Sequence, residues 1–529
     1  IMTVCGFMLP RNIYLQSVQM KIIKCLLAAL LPLCAGQAVA QSDSLRYGVE
    51  LSGNVSSGKY APLWFTANRY GLSSERPNSG YLRAGVRYDK RMRKGWSLQA
   101  GLDLAGAVDH QAPFVVQQAY ADITWKAITL SVGSKERDAF PLDKDMRLSG
   151  GMMVEGPNAR PIPQVRLEIK DYWNVPFTKG WFALKGHFGY GVLTDGAWRG
   201  DFVSAGRTFS KNDIYHTKSL MFKVGNADVF PLTMEIGMIE TAQFGGSKWT
   251  KEADGSLTFV ADMPEGVSDF LKAIIPKQKS TIENIEGNHT GSWNFALNYE
   301  AKTWKARLYY EHFFDDHSQM TWQYGRWKDG QIGVEVTLPE NRFVSKVLWE
   351  GLNTTDQTGP VLYDGVGGSF TDLQMSGRDN YYNHGDYPWT HWGQNMGIPF
   401  VTGPVYNDDG SLTFRSNRVK VNHVGISGDP SDEWTYRMLL SFARHWGTYD
   451  APLDDIRHQN SMLFETTYSP KRLKGWQFTV SCGVDSGDYL GNSTGGMLTI
   501  RKTGLLRARS EEHTSELQSP GDLVCRLLL

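Results

Sequence analysis

The sequence predicts an all-β protein: an antiparallel transmembrane β-barrel of roughly 16–18 strands, with plugging loops and a little helix. Three observations carry that expectation. Apolar residues recur at every second position in many separate segments, the chain opens on an export signal, and aromatic residues gather near the ends of the alternating runs.

The alternation is plain in several places. Leu82, Ala84, Val86 and Tyr88 interleave with Arg83, Gly85, Arg87 and Asp89, and Trp96, Leu98, Ala100, Leu102 and Leu104 with Ser97, Gln99, Gly101 and Asp103. The same period returns at Val165–Ile169, Leu232–Met238, Ile332–Leu338, Tyr436–Phe442 and Trp476–Val484. Each is a strand with one apolar and one polar face. A soluble sandwich would turn the apolar face inward, whereas a membrane barrel turns it to lipid and keeps a polar lumen. The export signal and the aromatics at run ends (Tyr88, Trp96, Trp181, Trp293, Trp304, Trp476) favour the barrel. Charges on the interleaved face (Arg83, Arg87, Asp103, Arg166, Glu168, Glu235, Glu335) suit a wet lumen.

Composition removes the main rivals. The 529 residues hold 55 Lys+Arg against 55 Asp+Glu, so no nucleic-acid partner is expected. Mean hydropathy is −0.36 and the one long apolar run is N-terminal, which excludes a multi-span helical membrane protein. With 17 Trp, 23 Tyr and 24 Phe the chain has ample material for a packed core.

Both ends stand apart from the fold. Residues 1–40 divide into an upstream stretch and a secretory signal starting at Met20, with Lys21 and Lys24 as its basic head and Ala38-Val39-Ala40 as its cleavage site. Residues 507–529 carry Arg509-Ser510-Glu511-Glu512-His513-Thr514-Ser515-Glu516-Leu517-Gln518-Ser519, which looks like a translated sequencing adapter. The barrel is therefore expected over residues 41–506, where Cys482 is the one cysteine and no disulfide can form within the chain.

Two insertions break the alternation. Gly246–Gly291 contains Pro264–Ile275, whose Val267, Phe270, Leu271, Ile274 and Ile275 have helical spacing. It reads as a short helix that either fills the lumen or rides on the surface. Asn353–Asn417 is rich in Gly, Asp, Tyr and Trp and has no steady period, as a long outer loop would.

No catalytic signature emerges: there is no G-x-S-x-G elbow and no H-E-x-x-H, so the chain is expected to be no enzyme. A hydrolase would need partners for His312, His317, His384 or His391. Glu311-His312 with Asp315-Asp316-His317 has the residue types of a metal cluster, but strand alternation sends neighbours to opposite faces. No metal and no cofactor is expected. The segment best suited to binding is Arg378, Asp379, Asn380, Tyr381 and Tyr382, followed by Trp389 and Trp392. Flat aromatic faces suit the C–H face of a sugar, and the polar side chains its hydroxyls. The alternative is that the aromatics form the loop's own small core, with Arg378 and Asp379 paired.

Four stretches resemble the Wzi-type capsule assembly proteins in their Bacteroides-like form: Tyr60–Gly71; Ser149-Gly150-Gly151 with Asn158–Gln164; Gly377–Tyr382 with Gly397-Ile398-Pro399; and Arg501-Lys502-Thr503-Gly504. The resemblance implies a monomeric barrel of about eighteen strands in the cell outer membrane, its lumen blocked by loops. It also implies a non-enzymatic, lectin-like role, with capsular or surface polysaccharide and outer-membrane lipid as partners. A porin-like diffusion channel for small solutes or saccharides is the rival. Within these stretches, Asn158–Pro163 reads as a stiff extended loop entering a strand at Gln164, with Arg160 expected to pair with a lumen carboxylate or touch polymer.

Overall fold

The computed structural model describes residues 43–137, 140–274, 287–315, 320, 328–357 and 379–509. The signal region, residues 510–529 and Arg378 lie outside that set, as do Asp316 and His317.

Eighteen antiparallel strands close into one barrel. In chain order they are β1 (Asp43–Ser56), β2 (Asn78–Arg91), β3 (Trp96–Val108), β4 (Phe114–Trp125), β5 (Ile128–Ser134), β6 (Gln164–Asn174) and β7 (Phe182–Val192). After a short non-barrel strand β8 (Thr208–Lys211) come β9 (Ile214–Val224) and β10 (Leu232–Phe244). Two further non-barrel strands, β11 (Ser247–Lys251) and β12 (Leu257–Asp262), precede β13 (Asn288–Glu300), β14 (Lys305–Asp315), β15 (Gly330–Thr337) and β16 (Lys346–Asn353). A two-strand hairpin, β17 (Thr390–His391) and β18 (Gln394–Asn395), lies in the long insertion. The barrel ends with β19 (Val419–Ser431), β20 (Trp434–Gly447), β21 (Pro452–Tyr468), β22 (Trp476–Gly487) and β23 (Ser493–Arg509), and β23 closes it by pairing with β1. All seven alternating runs read from the sequence are barrel strands.

The faces are arranged as a membrane requires. Leu51, Leu82, Leu102, Leu167, Leu220, Met234, Phe464 and Leu498 point outward, each more than 40% exposed. No edge is left unpaired, which a bilayer core would penalise. The charged positions point inward and pair across strands, Arg83 with Asp103 (2.5 Å), Arg307 with Glu235 (3.1 Å) and Lys346 with Glu335 (2.9 Å), or along one, Arg166 with Glu168 on β6 (3.0 Å).

The two ends of the barrel differ. One carries the short connections, such as residues 92–95, 126–127, 301–304 and 432–433, and a girdle of exposed aromatics. There Trp96 meets Trp125 (6.2 Å between centroids), Tyr299 meets Trp304 (5.3 Å) and Trp434 stacks on Tyr468 (4.7 Å). The other end carries every long connection.

Those long connections take two routes. Residues 57–77, 135–163 and 379–417 turn into the lumen. Residues 267–274 of the Gly246–Gly291 insertion do not. Its helix, here α3 (Val267–Ile274) after α1 (Leu63–Thr66) and α2 (Gly196–Phe202), lies on the outside of the wall. Phe270 packs on Tyr190 and Phe244, which share the outward parity of Phe188, Val192 and Met234. Tyr190 donates its hydroxyl to the Phe270 carbonyl (2.9 Å), and Lys218 reaches the Ala273 carbonyl (3.4 Å). Of the two placements open to that helix, the exterior one is found.

Candidate functional site

The inward-turning loops build a second, conventional hydrophobic core inside the loop end of the barrel. Trp64 and Phe65 of α1, Tyr381, Tyr382, Trp389, Phe400 and Phe414 supply its plug side, all at most 2% exposed. The wall supplies Phe313, Leu348, Leu439 and Leu463, inward-facing and at most 1% exposed. Rings interlock at Trp64–Phe400 (5.8 Å), Phe313–Tyr381 (4.7 Å) and Phe313–Tyr382 (4.9 Å), distances at which edge and tilted aromatic pairs attract.

Charged clamps fix this plug to the wall. Lys144 on the 135–163 loop forms an ion pair with Glu311 and donates to the Gln331 side chain (2.5 Å). Ser149 and the Gly150 amide donate to Glu350 (2.7 and 2.6 Å). A side chain at Gly150 would put its Cβ 2.7 Å from the Phe400 ring, so the loop can lie this close only as glycine. Arg69 reaches Glu465 (3.0 Å). Arg199 of α2 is fully buried between Asp195 (3.0 Å) and Asp213 (2.6 Å) and donates to the Thr390 carbonyl (3.2 Å).

The predicted binding residues fall within and around this plug. Tyr381, Tyr382 and Trp389 are fully buried and their polar atoms are taken. Tyr381 donates to Asp329 (3.0 Å), Tyr382 to the Met153 carbonyl (2.7 Å) and Trp389 to the Val154 carbonyl (2.9 Å). Their flat faces are covered by protein, so as placed these three make the loop's own core. Asp379, Asn380 and Trp392 keep partial exposure. Asn380 donates to Asp450 (3.2 Å) and accepts from Asn417 (2.7 Å). Asn380, Tyr382 and Trp392 all hold positive φ (43°, 66° and 54°), strain that only a tightly determined surrounding sustains.

Trp392 and Gly393 (φ 75°) form the tip of the β17–β18 hairpin, and Gly393 abuts Trp198, where an added Cβ would lie 2.4 Å from the ring. Arg160 stacks on Trp392 at 3.9 Å. This departs from the expected carboxylate pair: Asp195 contributes only at longer range, and burial drives the guanidinium down to about 10. The preceding loop does enter its strand at Gln164, the first residue of β6. His391 donates from Nδ1 to the Arg160 carbonyl (2.7 Å) and accepts from Thr194, and burial lowers it to about 4, so it is neutral and fully engaged. Glu311 faces the lumen while His312 faces outward and lies near the Asp329 carbonyl (3.1 Å). Among the described residues no group of His, Cys, Asp and Glu is arranged to hold a metal.

Below the plug, at the short-turn end, lies a wet vestibule of 1470 Å³. It is lined by charged residues of both signs with Tyr47, Tyr120 and Trp173, and its deeper groups are paired, Lys135 with Asp122 (2.5 Å) and Arg83 with Glu136 (3.0 Å). Sequence pattern alone does not separate vestibule from plug, because inward polar positions occur along the whole strand.

Comparison with solved structures places this architecture. Wzi, an outer-membrane protein involved in group 1 capsule assembly in Escherichia coli and a carbohydrate-binding β-barrel, is similar over 86% of this chain and 83% of its own, at 11% identity and a TM-score of 0.53. The chain is an outer-membrane β-barrel protein. OccAB4 of Acinetobacter baumannii (10% identity, TM-score 0.45) and OpdK of Pseudomonas aeruginosa (9%, 0.45) cover 88% and 87% of this chain and 99% and 98% of their own. No family model matches the chain, and no curated protein matches its sequence. In such barrels the short turns face the periplasm and the long loops the cell exterior. The plug of this outer-membrane protein therefore lies in its outer half, and its vestibule opens to the periplasm.

Proposed function

We propose that this barrel is a non-enzymatic attachment protein of the Wzi type, a monomer that holds exported capsular polysaccharide at the cell surface. The observation that supports the reading is the plug: a dry, aromatic core clamped by Lys144, Arg69 and Arg199 fills the outer half of the lumen. A solute channel has no use for such a core. A binder does, because it gives a rigid floor for polymer contacts. The capsule role of its structural neighbour Wzi agrees with this reading. The plug's outer surface offers Asp379, Asn380 and Trp392, with Arg207 and Arg415 both paired to Asp409 (3.1 Å each). Each contact to a sugar is weak, and repetition along the polymer across many barrels gives the retention.

The test is deletion of the gene in an encapsulated host. Polymer synthesis continues and capsule is found in the medium instead of on the cells; capsule retained at the parental level would overturn the reading. The vestibule is the one feature that favours a diffusion channel. Planar bilayers separate the two: the attachment protein is silent, whereas a steady open conductance would make the channel the better account.

A further inference from the structure

We propose that the outer rim of the wall at β19–β21 is a binding site for the phosphorylated headgroup of an outer-leaflet lipid. Lys420 stands directly opposite Arg444, and Arg444 directly opposite His458. All three are exposed and face outward, in parity with Phe442 (45% exposed) and Met462 (40%) of the lipid-facing band. Arg418 is brought opposite Trp446 by two backbone bonds, Trp446 N–H to the Arg418 carbonyl (3.0 Å) and Arg418 N–H to the Gly447 carbonyl (3.1 Å).

Like charges directly opposite on a sheet repel. Elsewhere on this wall such a charge is compensated: Lys218, also outward-facing, pairs with Glu240 at 3.0 Å beneath α3. Here, among the described residues, Arg418, Lys420 and Arg444 form no ion pair. Asp356 and Asp488, on neighbouring loops, are taken by Lys328 and Arg457, and Asp454 and Asp455 stand higher on β21, toward the loop. Aromatic rings accompany the three cations instead: Arg418 lies over Tyr449 (3.8 Å), and Lys420 and Arg444 flank Trp446 (5.8 and 5.9 Å). The Arg418 Nε is buried with no hydrogen-bond partner.

Depth selects the anion. The cationic row is two steps along the strands from the row of Asn422, Phe442 and Asn460, and two more from Val424, Leu440 and Met462. Each pair of residues rises about 7 Å. The cations thus sit at headgroup level just beyond the acyl chains, where long basic side chains extend from apolar surface and guanidinium forks hold phosphate oxygens. A polymer above the plug would not need cations on the outside of the wall.

The experiment uses the full chain in detergent micelles with bisphosphorylated lipid A, or the same lipid stripped of phosphate, and counts bound lipid by native mass spectrometry. Wild type retains the phosphorylated form. Arg418→Gln/Lys420→Gln/Arg444→Gln loses affinity by at least about tenfold, the scale of one lost charge-assisted bond, while Lys471→Gln in a periplasmic turn does not. Heat-modified gel mobility reports folding, and Arg444→Gln alone, with a salt titration of the wild type, serves if the triple variant does not fold. Equal retention of dephosphorylated lipid, or an unchanged triple variant, overturns the proposal. Loss of purified capsular polymer with lipid retention intact would assign the patch to polymer and overturn it equally.

Discussion

The same eighteen strands enclose two unlike interiors. In the outer half the inward side chains are Phe313, Leu348, Leu439 and Leu463, buried under plug loops that bring their own aromatics. In the periplasmic half they are Arg46, Arg87 and Gln99, bordering 1470 Å³ of open space. The difference shows that a barrel lumen can be half protein core and half open, polar vestibule. The outer half follows the energetics of a globular interior, where voids and unpaired charges are costly. The vestibule follows those of a surface, where single substitutions matter little.

The sharpest way to break that contrast is Arg199→Ala. It strands Asp195 and Asp213 without their shared cation in a site with no solvent. Removing one partner of a buried ion pair costs about 3–5 kcal/mol. The expected outcome is a barrel that still shows heat-modified mobility but whose 379–417 segment becomes open to protease. Trp389→Ala should cost about the same, 3–5 kcal/mol, by leaving a ring-sized void. Wild-type protease resistance in either variant would mean that the plug is held elsewhere.

A second test sharpens the boundary through pH. Asp329 accepts from Tyr381 (3.0 Å) and from the amides of Asp356 (3.0 Å) and Gln357 (2.6 Å), yet burial raises its carboxyl to about 6. A carboxyl raised in the folded state binds its proton more readily there than in the unfolded chain. Its charged form therefore costs stability above pH 6, and the cost is relieved as pH falls from 6 toward 4. Two units set an upper bound of about 3 kcal/mol. Plug protection measured by hydrogen exchange should rise from pH 7 to pH 5 in wild type and lose that slope in Asp329→Asn. An identical slope in both would remove Asp329 from the account.

How far the sequence reveals this depends on which physics is local. Strands are legible because period two is written in neighbouring residues, and β2, β3 and β22 appear where Leu82–Tyr88, Trp96–Leu104 and Trp476–Val484 alternate. The inward face is legible too, since Arg83, Asp103, Arg166 and Glu235 interrupt apolar runs at fixed parity. What a loop covers is not local. Phe270 and Leu271 at helical spacing mark a helix but not whether it meets the lumen or the outer wall, and Tyr381, Tyr382 and Trp389 have the same residue types whether they face a sugar or a core. Their positive-φ neighbours and the glycine at 150 give a signal only once Phe400 and Glu350 are known to lie beside them. The cation row at Lys420 and Arg444 needs the strand register, which no single run contains.

The smaller effects grade the contrast from plug to vestibule. Arg160 and Trp392 stand at the plug's edge, Arg160 buried and Trp392 partly exposed, with a stacked pair in place of a salt bridge. Such a contact contributes about 0.5–2 kcal/mol. Trp392→Ala is expected to loosen the β17–β18 tip by that amount in hydrogen exchange while leaving Trp389 buried. The same change separates a structural from a binding role for Trp392, because Trp392→Phe keeps most of the stacking: equal capsule retention by Phe and Ala variants would confine Trp392 to the fold.

Smallest of all is Arg87→Ala in the vestibule. Its partner Asp89 lies two residues along the same strand at 3.0 Å, and the pair is half exposed. Exposed ion pairs of this kind change stability by less than about 1 kcal/mol, and screening by salt reduces even that. The substitution should leave melting and protease resistance within experimental error of wild type. Should Arg87→Ala instead destabilise the barrel as Arg199→Ala does, the vestibule would have to be as dry and as tightly determined as the plug, and the division of the lumen into two physical regimes would fail.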